Sequence, residues 1–353
     1  MIDDRSLNRA LLARQHLLAR VPMALLDMVE HLAGLQAQEP QNPYVGLWAR
    51  IDGFDPAELG AAVAGRAAVR IALQRSTIHL VTAADCLALR PVLQPVLERQ
   101  ARSVFGRRLA GVDLDELAAA TRELVEGEPL AFGRLGTLLL DRWPGRDPMA
   151  LAQTGRALVP LVQLPPRGVW GRGGRALHAT VESWLGDPAV GDPAPDRLVL
   201  RYLAAFGPAT VADVQNWSGL TRLAEVVDRL RPRLRTDRAA DGRELLDVPG
   251  AARPPADVPA PVRFLPQYDN VLLGHADRSR IAPREAAGLY DEQFHWSPVL
   301  VDGMLRGVWR REKGVLHVRA PGLAAAERAE VLAEGAALLA LLAPAADPDV
   351  RLS

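Results

Sequence analysis

The chain has 353 residues, 49% of them hydrophobic, and its 42 basic and 42 acidic side chains leave a formal net charge of zero. One cysteine, Cys86, excludes a disulfide framework and a thiolate zinc cluster. No run of about 18 apolar residues offers a membrane span, and the opening MIDDRSLNRALLARQ is charged from Asp3 onward, so a cytoplasmic protein without a secretory leader is expected. In chain order, one supersecondary unit then recurs three times. Its first copy fits 22–81, with a helix ending near Gln36, a short helix from Tyr44, a helix from Pro56, and strands over 69–73 and 77–81. Ile71, Leu73, Ile78 and Leu80 alternate as strand residues do, which puts Arg75, Ser76, Thr77 and His79 near a hairpin.

The second copy fits 113–180. Helices are expected over 113–126, 130–141 and 147–158, then a strand LVQL and a hairpin RGVWGRGGRALHAT. The turn GRGG reads as a wing tip carrying Arg167, Arg172 and Arg175. The third copy, at 197–248, is the clearest. A helix over 197–206 stops at Gly207-Pro208, and Thr210 is placed to cap a short helix reaching Trp217. Thr221 is expected to cap a third helix with Leu223, Val226, Val227 and Leu230 on one face, and Pro232 ends it. Strands near 233–236 and 243–248 follow, joined through Asp241-Gly242.

Three helices and a β-hairpin make a winged helix-turn-helix, and three copies make an internal repeat. After a proline-rich linker at 249–261, SPVLVDGMLRGVWRREKGVLHVRA reads as three consecutive strands and 322–343 as a closing helix. The expected fold class is therefore α+β, mostly α. It comprises winged helix 1 with N-terminal and connecting helices (1–108), winged helix 2 (109–190), winged helix 3 (191–250) and a β-barrel-like module (251–353).

Zero net charge hides a segregated distribution. Eight arginines stand against Asp85 and Glu98 between Arg66 and Arg108, and four arginines against no acid between Arg156 and Thr180. The balance comes from stretches such as 111–128, with six acids and one arginine. A basic face that meets phosphate is one reading. A genome rich in arginine codons is the other, since Lys313 is the only lysine.

Gln36 and Gln38 flank one alanine in HLAGLQAQEPQNPY. On a helix, residues i and i+2 lie about 200° apart, whereas on an extended segment they share a side. Pro40 and Pro43 bias their preceding residues to extended geometry, so the two amides are expected to project together. A polar helix end followed by a turn is the plainer alternative. His79 can orient a neighbour or serve the strand, and Trp170 can stack on a base or pack under its wing. Tyr268, Asp269, Asn270, His275 and Asp277 cluster in FLPQYDNVLLGHADRSRI without the third and fourth ligands of a metal site. No phosphate loop, nucleophile elbow or HExxH motif is present, so no metal and no cofactor are expected.

Together GLQAQEPQNPYVGLWAR, QRSTIHLVTAAD, RYLAAFGPATVADVQNWSGLT and FLPQYDNVLLGHADRSRI resemble the AlkZ-like bacterial DNA glycosylases, and the likeness runs from about residue 5 to 345. It implies three tandem winged helices and a C-terminal β-barrel around a concave DNA channel. It also implies a monomeric, monofunctional glycosylase acting on double-stranded DNA that carries alkylated purines. The family's catalytic Gln–apolar–Gln signature falls on Gln36, Ala37 and Gln38, and Gln38 separates the chain from the sister branch with aspartate there. Members of this branch remove bulky adducts and unhook interstrand crosslinks in antibiotic self-resistance. Arg75, Ser76, Thr77, His79, Arg167, Arg172 and Arg175 are the expected DNA contacts. A non-catalytic winged-helix regulator and a drug-sequestering protein are the competing classes.

Overall fold

The computed structural model describes residues 1–189, 191–286, 288–289, 296–344, 347 and 349–353. Its first part runs α1 (Asp4–Arg14), α2 (Leu25–His31), β1 (Leu35–Gln36), α3 (Asn42–Trp48), α4 (Pro56–Ala64), β2 (Ala68–Ala72) and β3 (Ile78–Thr82). The helix α5 (Ala83–Phe105) leads to α6 (Leu114–Gly127), β4 (Leu130–Ala131), α7 (Phe132–Leu139), α8 (Pro148–Leu158), β5 (Leu161–Gln163), β6 (Leu177–Thr180) and α9 (Val181–Leu185). A third group holds α10 (Asp196–Phe206), α11 (Val211–Ser218), α12 (Leu223–Leu230), β7 (Arg235–Arg238) and β8 (Glu244–Asp247). The last contains β9 (Arg263–Phe264), α13 (Asn270–Leu273), β10 (Ser297–Val301), β11 (Met304–Glu312), β12 (Val315–Arg319), α14 (Ala325–Leu342) and β13 (Asp349–Leu352).

Local chemistry explains most boundaries. Thr210 accepts from the Asp213 amide at the start of α11, and the Asp213 carboxylate accepts from the Thr210 amide in return. Two expectations fail nearby. Thr221 does not cap α12; Arg222 does, in the left-handed region (φ 59°), and the Gln215 side chain accepts from the Leu223 amide instead. In the second unit the expected hairpin at 167–180 is a loop, and the sole strand there, β6, pairs with β5 across it. Four positive-φ or cis backbone features in 165–174 suit an irregular path rather than a pleat.

The short strands of the first two groups merge into one six-stranded sheet, ordered β1-β3-β2-β5-β6-β4. β2 and β5 join the groups, with Arg70 opposite Gln163 and Ile71 opposite Val162. β7 and β8 form a separate hairpin. The C-terminal sheet, β13-β12-β11-β10-β9, is open, not a closed barrel, because β9 and β13 do not pair. It curls over α14: a methyl added at Gly335 would meet Val350, Leu316 and Phe264 on three different strands.

The largest core is shared. Leu11 of α1, Tyr44 of α3, Ile71 of β2, Leu93 of α5, Trp217 of α11 and Leu300 of β10 belong to one buried cluster. Smaller cores lie under the C-terminal sheet, around Phe264, Trp309 and Leu338, and within the second group, around Leu117, Leu135 and Leu151. Burying each such side chain contributes roughly 1.5–3 kcal/mol. Two buried ion pairs fasten the groups: Arg14 to Asp247 at 2.6 Å and Arg50 to Asp269 at 2.8 Å. Among the described residues no helix is long and apolar enough to cross a membrane.

Candidate active site

The stretch from Ala33 to Gln38 is not a helix end. α2 stops at His31, and Ala33 (φ 53°) and Gly34 (φ 92°) turn the chain so that β1 can lie against β3. Gly34 is required here, since a Cβ would sit 2.7 Å from Val81 Cγ1. Side chains from elsewhere tie the turn down. Gln74 Nε2 donates to the Ala33 carbonyl at 3.0 Å, and Asn270 Nδ2 donates to the Gly34 carbonyl at 3.3 Å.

The ladder places Gln36 opposite His79 and ends at Ala37, whose amide donates to the Ile78 carbonyl at 2.8 Å. An antiparallel hydrogen-bonded pair would return the Ile78 amide to the Ala37 carbonyl. Two side chains intervene. Arg70 Nη2 donates to the Ala37 carbonyl at 2.7 Å, and the Ile78 amide donates to Gln38 Oε1 at 3.3 Å. Because the Ile78 N–H can only donate, this contact fixes which end of the Gln38 amide is oxygen.

Gln36 and Gln38 therefore differ in depth. Gln36 is 8% exposed, its Oε1 buried without a hydrogen-bond partner, whereas Gln38 is exposed. Behind Gln36 lies a cavity of about 10 Å³, lined among others by Gln15, Asn42, Arg50, Asp269 and Asn270. That volume is about the size of one water. Its carboxylate is not a free base, for Arg50 donates to both Asp269 oxygens, at 2.9 and 2.8 Å. Asn42 Nδ2 donates to the Gln267 carbonyl at 2.7 Å and ties the C-terminal module to the same segment.

The loop between β5 and β6 closes the other side. Tyr44 Oη donates to the Gly168 carbonyl at 2.8 Å, Gln41 Nε2 to the Val169 carbonyl at 3.4 Å, and Tyr44 and Trp170 pack with ring centroids 4.7 Å apart. Burial pushes the Tyr44 phenol up to about 12, so it stays a donor. Trp170 thus packs beneath the loop.

Residues 29–341 match the family described as DNA glycosylase AlkZ-like. The chain belongs to that family, and it is a DNA glycosylase. A curated relative, the "Interstrand DNA cross-link repair glycosylase" of Streptomyces sahachiroi, is 26% identical over 329 residues, covering 84% of each chain. The solved structure of Streptomyces sahachiroi DNA glycosylase AlkZ superimposes with a TM-score of 0.71 over 100% of both chains at 21% identity, which shows a common fold.

In this AlkZ-like enzyme the expected DNA contacts separate. Arg172 and Arg175 are exposed on the loop. Arg167 is half-buried and braces that loop by donating to the Gly174 carbonyl at 3.1 Å. Arg75 is committed inward: it donates to the Trp217 carbonyl at 2.6 Å and to Asn270 Oδ1 at 3.0 Å. Ser76 (φ 61°) makes the tight turn with Arg75 (φ 53°), and Thr77 Oγ1 donates to the Gln74 carbonyl at 3.1 Å. His79 is fully buried and presents no surface to DNA. Its Nδ1 donates to the Thr77 carbonyl at 3.0 Å, and burial, reinforced by Arg75, pushes its pKa down to about 3, so it is neutral.

The arginine-rich stretch is also less of a face than expected, because Arg70 and Arg90 are buried. The cluster near residue 270 is likewise spent on structure. Asp269 holds Arg50, Asn270 holds Gly34 and Arg75, His275 Nε2 donates to the Phe206 carbonyl, and Asp277 accepts from Arg243. Among the described residues no group of three His, Cys, Asp or Glu could hold a metal. Arg70 escapes a sequence reading aimed at exposed motifs. Its signal is an arginine inside AVRIA, a strand buried along its whole length.

Proposed function

We propose that this enzyme hydrolyses the N-glycosidic bond of cationic alkylated purines, N7-alkylguanine and N3-alkyladenine, in double-stranded DNA. Bulky adducts and interstrand crosslinks fall within that class, and the name of the Streptomyces sahachiroi relative supports including the crosslinks. The carrying observation is chemical: the Gln-Ala-Gln segment offers neutral amides, Asp269 in the cavity behind Gln36 is neutralised by Arg50, and His79 opposite Gln36 is uncharged.

These groups have no acidic proton to give a leaving base. An alkylated purine needs none, because its own positive charge draws the bonding electrons as C1′–N breaks and the base leaves neutral. What remains is to hold a water beneath C1′ and to face an oxocarbenium-like sugar with negative dipole ends. Gln38, exposed at the ladder's end, takes the water; its Oε1 keeps a second lone pair beside the Ile78 contact. Gln36 directs its dipole from behind. The water oxygen bonds to C1′, and its proton passes to solvent.

Arg172 and Arg175 would meet phosphate, with Arg167 holding their loop in shape. The three helical groups with their paired strands are read as winged helices arranged around a concave DNA channel, and the protein as a cytoplasmic monomer. The test is product analysis on duplex DNA carrying N7-methylguanine. A monofunctional glycosylase releases free base and leaves an abasic site that alkali cleaves. A band shift with intact DNA would mark a non-catalytic binder and sink the reading.

A further inference from the structure

We infer that Arg70 is a positioning residue for Gln38, acting by holding the Ala37 carbonyl out of the β1–β3 ladder. This role rests on that proposed for Gln38 and on three contacts at the ladder's end. Ala37 donates to the Ile78 carbonyl, so the pair has the geometry in which Ile78 would donate back to the Ala37 carbonyl. Arg70 Nη2 occupies that carbonyl at 2.7 Å. Drawn toward Arg70, that carbonyl takes no bond from the Ile78 amide, which donates instead to Gln38 Oε1 at 3.3 Å and anchors the side chain.

The arginine is itself held without a direct ion pair, Glu39 acting on it only at longer range. Arg70 is 1% exposed, its Nε and Nη1 are buried without a hydrogen-bond partner, and it makes no ion pair among the described residues. Such a buried guanidinium costs stability that a fold built for stability alone would recover with an apolar residue. Its placement depends on a roof at Gly168 (φ 90°), where a Cβ would lie 2.6 Å from Arg70 Cδ. Tyr44 fixes that roof through the Gly168 carbonyl. The loop bearing Arg172 and Arg175 thus bears on the guanidinium that sets the Gln38 anchor.

Without Arg70, the Ala37 carbonyl returns to the ladder, Ile78 donates to it, and Gln38 loses its anchor. Restoring a ladder hydrogen bond offsets the lost one, so stability is maintained while catalysis suffers. The test is a double-mutant cycle on single-turnover release of N7-methylguanine, with Arg70→Met, Gln38→Ala and the pair, alongside duplex affinity and Tm. Arg70→Met is expected to slow release about 10- to 100-fold, the scale of a group misplaced by about 1 Å. Its Tm stays level or rises, its affinity stays within about twofold, and the pair is little slower than Gln38→Ala alone.

Release within twofold of wild type in Arg70→Met overturns the inference, as does a loss that multiplies fully with that of Gln38→Ala. If Arg70→Met fails to fold, Gly168→Ala takes its place in the cycle. Loss absorbed by Gln38→Ala supports the inference, and loss that multiplies overturns it. Wild-type release by Gln38→Ala itself sinks the glutamine reading and this one with it. Impaired Gln38→Ala beside unimpaired Arg70→Met sinks this one alone.

Discussion

A carboxamide accepts hydrogen bonds without titrating, and His79, opposite Gln36 on β3, is kept from titrating as well. His79, His178 and His275 are buried, and burial pushes their pKa values down to about 3, about 4 and about 3. Unfolded histidine titrates near 6.5, so unfolding below that pH takes up protons that the folded chain refuses. The sign follows: this contribution is complete above about pH 6.5 and is lost as pH falls toward the folded values. Each histidine adds a slope of about 1.4 kcal/mol per pH unit within that window. Urea unfolding at fixed ionic strength should give a markedly lower midpoint at pH 5 than at pH 7. Equal midpoints would show that these rings are not held neutral by the fold.

Among the elements, β1 is the least expected and the most consequential. It has two residues, no propensity of its own worth reading, and exists because β3 offers a ladder and Gly34 permits the turn into it. Gly34→Ala would place a Cβ against Val81 Cγ1 at a left-handed backbone position, and a destabilisation of about 1–3 kcal/mol is expected. Thermal unfolding checks this, and loss of release activity at temperatures well below the transition would trace the damage to β1. An unchanged Tm would mean the turn is not strained by a side chain.

The third unit was legible down to its cap at Thr210, because helix period, capping box and the Asp241-Gly242 turn are all local signals. Thr221 failed as a cap because a side chain eight residues earlier in contact, Gln215, serves Leu223 instead. The loop after β5 looked like a hairpin because glycine marks tight turns and irregular loops alike. The proline bias expected to extend the segment around Gln36 and Gln38 fails at Pro43, since Asn42 opens α3, and Gln36 is extended by its pairing with β3 instead. The difference in depth between the two glutamines was not legible, since it depends on β3, Arg70 and Asn270, all distant in sequence.

For the whole molecule, the joining of parts matters more than net charge. One sheet spans the first two groups through β2 and β5, one core spans the first, third and C-terminal groups, and Arg50–Asp269 ties the first group to the last. Arg70, Arg75 and Arg90 are committed inside, which leaves phosphate contact to exposed arginines such as the proposed Arg172 and Arg175. Log affinity for duplex should fall linearly with log salt at about 0.9 per phosphate contact. Arg172→Ala with Arg175→Ala should shrink that slope by about two contacts. Titrations at several salt concentrations check this, and an unchanged slope would place the interface elsewhere.

In the proposed chemistry two amides suffice because the substrate carries its own charge. Single-turnover release of N7-methylguanine from duplex DNA by wild type, Gln36→Ala and Gln38→Ala tests it most directly. A loss on the order of 100-fold or more is predicted for Gln38→Ala, a smaller one for Gln36→Ala, and intact duplex affinity for both. Wild-type release by Gln38→Ala would exclude a catalytic role for that amide.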